Sequence, residues 1–295
     1  MVKADYHVHS DFSSDGLATM EQMIERAIGL GLTKLCFTDH MDYDYPQVSN
    51  YSFVFDIEKY QSKLQELKDI YRPKIEILTG IELGLQPQVL APMEALVKNY
   101  PFDFIIGSTH VVDYIDPYYP EFWENISEEE GIQRYFQAIL ENCRLFPYFQ
   151  VCGHIDYIVR YIPTSVTYKQ ILRSHIITPK DELKREEAYT KIYSLYSYDK
   201  YADLLDEILK TLLSLGKGIE VNTSGLRYGL KYAHPRTEIL KRYRELGGEL
   251  ITIGSDAHSP EQLCYDFPKI AELLRSLGYG YYATFIQGRP VMEKL

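Results

Sequence analysis

Residues 4–10 read Ala4-Asp5-Tyr6-His7-Val8-His9-Ser10, and the alternation of side chains in this run predicts a β-strand over Ala4–Val8. A helix is predicted next, because Thr19 and Gln22 have the spacing of a capping box and apolar residues then recur at helical intervals. The glycines at 29–31 end that pattern. The start of the chain therefore predicts a strand followed by a helix.

The same unit recurs along the rest of the chain. Short apolar runs predict further strands, and longer amphipathic runs between them predict helices. The predicted strands lie at 35–38, 75–81, 104–108, 149–153, 218–222, 250–254 and 282–286, and the predicted helices at 56–71, 89–99, 127–145, 199–215, 237–246 and 260–277. An irregular stretch, rich in tyrosine and mixed charge, is predicted over 155–198.

Seven or eight strand–helix units without a Pro/Gly/Ser-rich linker predict an α/β fold, in which helices cover a parallel sheet. The length of 295 residues suits a TIM-like barrel that carries insertions. An open, doubly wound sheet is the competing architecture.

The composition is that of a globular protein, with 45% hydrophobic and 25% charged residues. The net charge of −11 counts against a nucleic-acid partner, because backbone binding relies on lysine and arginine. No apolar leader or membrane-length apolar run is present, so we expect a cytoplasmic protein without a membrane partner. The four cysteines lack C-x-x-C spacing, which leaves a zinc ribbon unsupported.

Six of the eight histidines and three acidic residues lie at or just beyond the ends of predicted strands, where a barrel brings side chains together. They are His7, His9, Asp15, His40, Glu82, His110, His154, Asp256 and His258. Zinc takes about four ligands, so nine predict two or three divalent ions, and imidazole with carboxylate favours Zn, Fe or Mn. Such ions would create a positive site in an acidic protein, which favours a phosphate ester. His175 and His234 lie outside the pattern and are expected to be ordinary histidines.

These residues resemble the motifs of the PHP family (polymerase and histidinol phosphatase), and the likeness covers nearly the whole chain. The motifs read DYHVHS at 5–10 with Asp15-Gly16, FTDH at 37–40, STH at 108–110 and GSDAH at 254–258. The resemblance implies a distorted (β/α)7 barrel of the PHP type with a trinuclear metal site. It also implies one PHP phosphoesterase domain over 1–295, with an insertion at about 157–198.

The resemblance further implies how the ligands are shared. His7, His9, Glu82 and Asp256 would hold one ion. Glu82, His110 and His154 would hold a second, and Asp15, His40 and His258 a third.

Two more stretches, GHIDYIVRY at 153–161 and EVNTSGLR at 220–227, resemble the stand-alone histidinol-phosphatase branch of the family. The resemblance implies hydrolysis of L-histidinol phosphate in histidine biosynthesis, with a metal-activated hydroxide attacking phosphorus. Arg160 and Arg227 are candidate phosphate ligands, because a guanidinium binds two phosphate oxygens at once. Asp42 is a candidate for the substrate's amine or imidazole, and Asp256 or His258 for the leaving group.

Other functions stay open at this point. A protein-tyrosine phosphatase or a nucleotide or nucleic-acid phosphoesterase would use the same site, although the net charge argues against a nuclease. An amidohydrolase shares the H-x-H pattern, but the lysine expected after its fourth strand is missing here. A non-catalytic module would need a closed metal site, which is usually rich in cysteine. The tyrosine-rich insertion could act as a lid or serve only in packing, and the sequence does not indicate an oligomeric state.

Overall fold

The computed structural model describes residues 2–46, 52–173 and 178–295. Within these ranges eight strands form one sheet in which every pair is parallel. The strands are β1 (Ala4–Val8), β2 (Lys34–Phe37), β3 (His40–Met41), β4 (Glu76–Gly84), β5 (Phe104–Ser108), β6 (Val151–Cys152), β7 (Gly218–Asn222) and β8 (Ile251–Gly254). Their order is β1-β2-β4-β5-β6-β7-β8, and β3 pairs with β4 beyond the end of β2.

The two ends of the sheet meet just beyond β1 and β8. Val8 pairs with Ala257, and the His9 N–H donates to the Ala257 carbonyl at 2.9 Å. The Asp256 N–H donates to the His7 carbonyl at 2.8 Å. The sheet is therefore nearly closed as a distorted seven-stranded barrel, as expected, and the open doubly wound alternative is wrong.

The helices surround this sheet, and four of those described begin at a residue whose side chain accepts a hydrogen bond from the first turn. Thr19 forms the predicted capping box, while Asp56 and Ser127 accept hydrogen bonds from N–H groups in the first turns of their helices. The helices are α1 (Met20–Gly29), α2 (Ile57–Tyr71), α3 (Leu90–Asn99), α4 (Glu128–Leu145), α5 (Pro163–Arg173), α6 (Pro179–Leu195), α7 (Ala202–Ser214), α8 (Ser224–Arg227), α9 (Thr237–Glu245) and α10 (Phe267–Ser276). Within the described ranges, none has both the length and the apolar surface needed to cross a bilayer.

The prediction of an irregular stretch over 155–198 is wrong for α5 and α6, which pack against each other. The buried side chains of α6 are only Ala188 and Ile192. An apolar face this narrow gives almost no helical periodicity in the sequence. His175 lies outside the described residues.

The predicted strand at 282–286 exists but lies outside the barrel sheet. It is part of β9 (Tyr281–Ile286), which forms an antiparallel hairpin with β10 (Arg289–Lys294). The Tyr6 hydroxyl donates to the Phe285 carbonyl and accepts from the Phe285 N–H, both at 3.0 Å. The hairpin thus attaches to the barrel through buried hydrogen bonds.

The barrel interior is apolar at the amino ends of the strands and polar at their carboxyl ends. The Tyr6 and Phe104 rings lie 5.2 Å apart between centroids, and Phe104 stacks on Phe285 at 5.0 Å. At the other end, buried His7, His9 and Glu82 face one another. Aromatic packing at one end therefore leaves the opposite end for chemistry.

Candidate metal centre and substrate cavity

The nine predicted ligands all lie at the carboxyl ends of the barrel strands. His7 is in β1 and His9 follows it, while His40 begins β3. Glu82 lies inside β4, which runs to Gly84, so this strand is longer than predicted. The extension arises because β3 pairs with β4, placing His40 opposite Glu82. The other ligands follow β1, β5, β6 and β8, namely Asp15, His110, His154, Asp256 and His258.

Glu82 is at the centre of this group, fully buried. Its Oε2 atom lies 3.1 Å from Nε2 of His7 and 3.6 Å from Nε2 of His9. The same oxygen lies 3.0 Å from Nδ1 of His40. One carboxylate oxygen thus faces three imidazoles.

The other oxygen of Glu82 faces a second pair of histidines. Oε1 lies 3.2 Å from Nε2 of His110 and 2.9 Å from Nε2 of His154. It also accepts a hydrogen bond from the Ser108 hydroxyl at 2.6 Å. Since its two oxygens face different sets of imidazoles, Glu82 has the arrangement of a bridging carboxylate.

Asp256 approaches the same cluster from the β8 side. Its Oδ1 lies 3.4 Å from Nε2 of His9, 3.8 Å from Nε2 of His7 and 3.7 Å from Nδ1 of His258. The backbone of Asp256 is left-handed, with φ of 55°. A non-glycine residue in that region is strained, which is characteristic of functional sites.

Asp15 completes the third predicted set. Its Oδ2 lies 3.2 Å from Nε2 of His258 and 3.8 Å from Nε2 of His40. Asp39 supports the loop that carries His9 and Asp15 by accepting hydrogen bonds from Ser10 and Ser13. The ligand-bearing loop is therefore fixed by a buried carboxylate.

The donor atoms have the spacing that metal ions require. Within four groups, all donor atoms lie within 4.8 Å of one another. The groups are His7 with His9 and Asp256; His7 with Glu82 and His154; His9 with His40 and His258; and His40 with Asp42 and His110. The first shares three members with the first predicted set, and the second and third share two members each with the other two sets. The fourth adds Asp42, which was predicted to contact substrate.

Several of these donor atoms are buried without a hydrogen-bond partner. Among them are Nε2 of His7, Nε2 of His9, Nδ1 of His40 and Oε2 of Glu82. A buried polar atom without a partner is costly, and a coordinated ion removes that cost. The residues present therefore fit divalent metal ions.

The carboxylates and imidazoles of the cluster shift one another's pKa values. Burial lowers the pKa of His7, but the carboxylates of Glu220 and Glu82 outweigh it and hold that pKa well above its ordinary value. Burial raises the pKa of Glu82, but the charges of His7 and His40 hold it well below its ordinary value. The carboxylates raise the pKa of His40 to about 9, against the effect of burial. Protons and metal ions would compete for these donor atoms.

Glu220 is a site residue that the sequence analysis did not single out. Its Oε1 lies 2.6 Å from Nδ1 of His7, and its Oε2 accepts from the backbone N–H of His154 at 2.9 Å. A carboxylate in this position orients an imidazole ligand and raises its basicity. Gly254 has no room for a side chain, because a β-carbon there would collide with His7 and Glu220. The sequence feature that could have indicated Glu220 is a charged residue inside a predicted buried strand.

Asp42 holds His110 in the same manner. It is 2% exposed, and its Oδ1 lies 2.7 Å from Nδ1 of His110. Its Oδ2 is buried without a hydrogen bond, and the residue lines the cavity next to the cluster. Asp42 thus supports a ligand with one oxygen and presents the other to the site.

A cavity of about 610 Å³ opens over the cluster. Arg160, Arg173 and Arg227 line one side of it, together with Tyr228. The guanidinium carbons of Arg160 and Arg173 lie 4.5 and 4.1 Å from the Tyr228 ring centroid, and that of Arg227 lies 5.8 Å away. Both predicted arginines reach the cavity, and α5 adds a third that the sequence analysis missed.

Arg227 is held in place from two sides. Its Nη1 donates to Oε1 of Gln262 at 2.9 Å, and its Nη2 donates to the Asp256 carbonyl at 2.8 Å. Burial lowers its pKa. Arg227 therefore ties α8 to the loop that carries Asp256 and His258.

Aromatic and acidic residues also line the cavity. They include Tyr45, Phe53, Asp116, Tyr118 and Tyr119. Asp116 is 8% exposed; its Oδ2 accepts from the Tyr45 hydroxyl and its Oδ1 from the Tyr118 N–H, both at 2.7 Å. The cavity lining thus combines cationic, acidic and aromatic groups.

Among the residues that the structure describes, the predicted insertion reaches the cavity through its first part. Tyr157, Arg160 and Tyr161 line the cavity, as does Arg173 at the end of α5. Tyr196, at the end of α6, is buried outside this lining, and its hydroxyl donates to Asp156.

A profile of the PHP domain matches residues 5–224 of the chain. The chain is 29% identical to histidinol-phosphatase of Lactococcus lactis over 291 residues, which cover 97% of this chain and 95% of that protein. It is 30% identical to the probable histidinol-phosphatase of Clostridium acetobutylicum over 265 residues, 89% of each chain.

Solved structures are similar over nearly the whole chain. Histidinol phosphate phosphatase from Lactococcus lactis, solved with zinc, L-histidinol and phosphate, matches with a TM-score of 0.80 and 26% identity, covering 98% of both chains. A histidinol phosphatase structure from Listeria monocytogenes matches with a TM-score of 0.69 at 17% identity, over 90% of this chain and 99% of that one. The second likeness concerns the fold alone.

Proposed function

The chain belongs to the PHP domain family, and from that premise we propose that it is a phosphoric monoester hydrolase that converts L-histidinol phosphate to L-histidinol and inorganic phosphate. The observation that carries the proposal is the cavity. It is lined by imidazole and carboxylate donors, by three guanidinium groups, and by aromatic rings together with Asp116. L-histidinol phosphate has a phosphate group that complements the guanidinium groups. Its amine and its imidazole ring complement the carboxylate and the aromatic rings. We further propose one PHP phosphoesterase domain with its insertion at about 157–198.

The metal ions are part of the proposal. We assign two or three divalent ions, Zn, Fe or Mn, to the donor groups around Glu82 and Asp256. When bound, such ions supply a hydroxide at neutral pH and neutralise charge on the phosphoryl oxygens. The side chains hold the donor atoms in place, and Glu220 and Asp42 orient the imidazoles of His7 and His110.

The phosphoryl group would bind between the donor cluster and the arginines. Nη1 of Arg160 lies 3.9 Å from Oδ2 of Asp256, so this guanidinium already faces the cluster. Arg160 is enclosed by the Tyr157 and Tyr161 rings, at 5.1 and 5.4 Å from the centroids. Enclosure excludes water and strengthens the attraction between a guanidinium and a phosphate.

The leaving alkoxide needs a proton, and the geometry favours Asp256 over His258 as its carrier. Oδ1 of Asp256 faces the imidazole nitrogens, whereas Oδ2 faces Arg160. Burial raises the pKa of Asp256, but the charge of His7 and the other cations around it hold that pKa well below its ordinary value, so the carboxylate is ionised. We therefore propose that Oδ2 accepts the proton that the attacking water loses and passes it to the leaving alkoxide. His258 keeps its Nε2 directed at Asp15, which suits a ligand.

The rest of the substrate would lie near Asp116. Asp116 is buried beside Tyr45 and Tyr118, and burial raises its pKa. A substrate ammonium or imidazolium would pair with this carboxylate and favour its charged form. The adjacent rings offer faces to the imidazole.

The test is a comparison of substrates with metal-loaded enzyme. We expect kcat/KM for phosphate release from L-histidinol phosphate near 10⁵ M⁻¹s⁻¹, within the ordinary range for enzymes, and far above that for 4-nitrophenyl phosphate. Asp116→Asn should reduce this preference, because it removes the charge that pairs with the substrate's cation. Slow turnover that does not distinguish the two esters would refute the histidinol assignment and direct the search to phosphotyrosine peptides and nucleotides.

A further inference from the structure

A second buried polar cluster lies beside the cavity, outside the metal centre. Nδ1 of His234 lies 2.6 Å from Oδ1 of Asp156, and both side chains are 0% exposed. Oδ2 of Asp156 accepts from the Tyr196 hydroxyl at 2.7 Å and from the backbone N–H of Arg236 at 2.9 Å. His234 belongs to none of the donor groups within the described ranges, so metal binding does not explain this cluster.

The cluster is connected to Arg160 from both directions. Asp156 directly precedes a short 3-10 turn, Tyr157–Arg160, so the turn that carries Arg160 follows the residue that His234 contacts. From the other direction, the backbone N–H of His234 donates to the Asn222 carbonyl at 2.8 Å. The backbone N–H of Asn222 donates to the His234 carbonyl at 2.6 Å. Asp156 and His234 therefore join the turn that carries Arg160 to the end of β7.

A hydrogen-bonded chain continues from Asn222 to the guanidinium. Oδ1 of Asn222 accepts from the Ser224 N–H at 2.9 Å and from the Ser224 hydroxyl at 2.6 Å. Oγ of Ser224 in turn accepts from Nη1 of Arg160 at 3.2 Å. The contacts thus form a closed circuit that starts at Arg160, passes through Ser224, Asn222, His234 and Asp156, and returns to Arg160 through the 3-10 turn.

The same circuit also contacts Glu220, the carboxylate that orients His7 in the metal centre. Nδ2 of Asn222 donates to Oε2 of Glu220 at 3.2 Å, and Glu220 holds His7. The imidazole of His234 also fills the space beside Gly225, where a β-carbon would lie 3.3 Å from Nε2. Burial lowers the pKa of His234, and the carboxylate beside Nδ1 favours the tautomer that carries its hydrogen there.

We propose that His234 and Asp156 are positioning residues that fix the Arg160 guanidinium at the distance from the metal centre at which it binds a phosphoryl group. The inference rests on the proposed function for the role of Arg160 as a phosphate ligand. It adds that the circuit, and not Arg160 alone, sets the affinity for phosphate. Positional errors of about 1 Å at such a group cost about a hundredfold in rate.

The test is a double-mutant cycle on metal-loaded enzyme, with inorganic phosphate as the probe. Phosphate binding is measured by calorimetry for His234→Leu, Arg160→Met and the double variant. We expect His234→Leu to weaken binding about tenfold or more in the wild-type background and by no more than about twofold beside Arg160→Met, because residues in one network are coupled. Equal losses in both backgrounds would overturn the proposal.

Two more variants separate positioning from stability. His234→Asn keeps an N–H donor near the place of Nδ1 and should recover phosphate affinity to within about threefold of wild type. Ser224→Ala breaks the circuit at a small side chain without emptying the core, and its effect should also vanish beside Arg160→Met. If His234→Leu does not fold, the Ser224→Ala cycle decides, and additive losses there would overturn the proposal.

The control is Tyr279→Phe, which removes a buried hydroxyl that donates to the Leu240 carbonyl at 2.8 Å, away from the cavity. It should leave phosphate binding unchanged. Because inorganic phosphate is the probe, the outcome does not depend on which ester is the substrate. Failure of the histidinol assignment and failure of this inference are therefore distinguishable.

Discussion

Nδ1 of His7 lies 2.6 Å from Oε1 of Glu220, while Nε2 of the same ring faces Glu82 at 3.1 Å. One ring nitrogen is thus held by a carboxylate and the other is presented to the centre of the site. Removing the charge at 220 should weaken metal binding, because the carboxylate orients the imidazole and raises its basicity. We expect Glu220→Gln to lower metal affinity about 10- to 100-fold. Competition with a chromophoric chelator measures the metal affinity. Glu272→Gln, at an exposed position, is the control. Equal affinities for all three proteins would contradict the assignment.

Arg160 is expected to act on phosphate and not on metal. Arg160→Ala should lower kcat/KM about a hundredfold or more, since a buried guanidinium facing the donor cluster is lost. Metal content, determined by elemental analysis, should stay at the wild-type value. Arg160→Lys should not restore the rate, because an ammonium cannot make a bidentate contact. Unchanged kinetics in Arg160→Ala would remove this residue from the site.

Arg173 is exposed and lies at the mouth of the cavity in a protein of net charge −11. Its charge should attract an anionic substrate, and salt should screen that attraction. We expect Arg173→Met to raise KM several-fold at low ionic strength, with a smaller difference at 0.5 M salt, and to leave kcat nearly unchanged. Lys184→Met removes an exposed charge on α6 as the control. A loss that is independent of salt would rule out an electrostatic role.

Chelation should abolish turnover while the fold is largely kept. The apolar core around Tyr6, Phe104 and Phe285 does not depend on the metal ligands. We expect far-ultraviolet circular dichroism to be retained, the melting temperature to fall because bound ions stabilise the native state, and added zinc or manganese to restore activity. Global unfolding on chelation would instead indicate a structural role for the ions.

Asp206 offers a test of stability against pH. Nε and Nη2 of Arg242 lie 2.9 and 2.7 Å from its two oxygens, so α7 and α9 are joined by a bidentate pair. These hydrogen bonds from Arg242 hold the pKa of Asp206 well below its ordinary value. A lowered pKa means that the stabilisation is present above the unfolded pKa, near 4, and is lost as the pH falls below it. We expect Asp206→Asn to lower the free energy of unfolding by about 1 kcal/mol at pH 7.

Urea denaturation of the wild type and of Asp206→Asn at pH 7 and at acid pH measures that difference. The other titrating groups are common to both proteins, so their contributions largely cancel. The difference should shrink steadily below about pH 4. A difference that stayed constant across this range would show that the carboxylate charge does not stabilise the fold.

The metal-ligand candidates were found from sequence because their positions follow from the fold class. In a parallel barrel every strand ends on the same side, so side chains that follow β1, β5 and β8 must lie near one another. His110 and Asp256 could therefore be placed together although 146 positions separate them. No knowledge of rotamers or exact register was required.

The supporting residues could not be found in that way. Glu220 looks like an internal residue of a buried strand, and its partner His7 lies 213 positions away. His234 follows no predicted strand and was expected to be ordinary. α6 buries only Ala188 and Ile192, so its periodicity is faint. Contacts of this kind depend on strand register and on which way each side chain points.

By itself, the sequence of this protein determined the alternation of strands and helices and the set of nine candidate ligands, since both follow from local patterns repeated along the chain. The tertiary structure alone decided that Glu82 faces two sets of imidazoles, that Arg173 joins the cavity and that Asp156 pairs with His234. The physical reason is that hydrogen bonds and ion pairs act over about 3 Å, whereas the residues that make them are brought together only when the barrel closes.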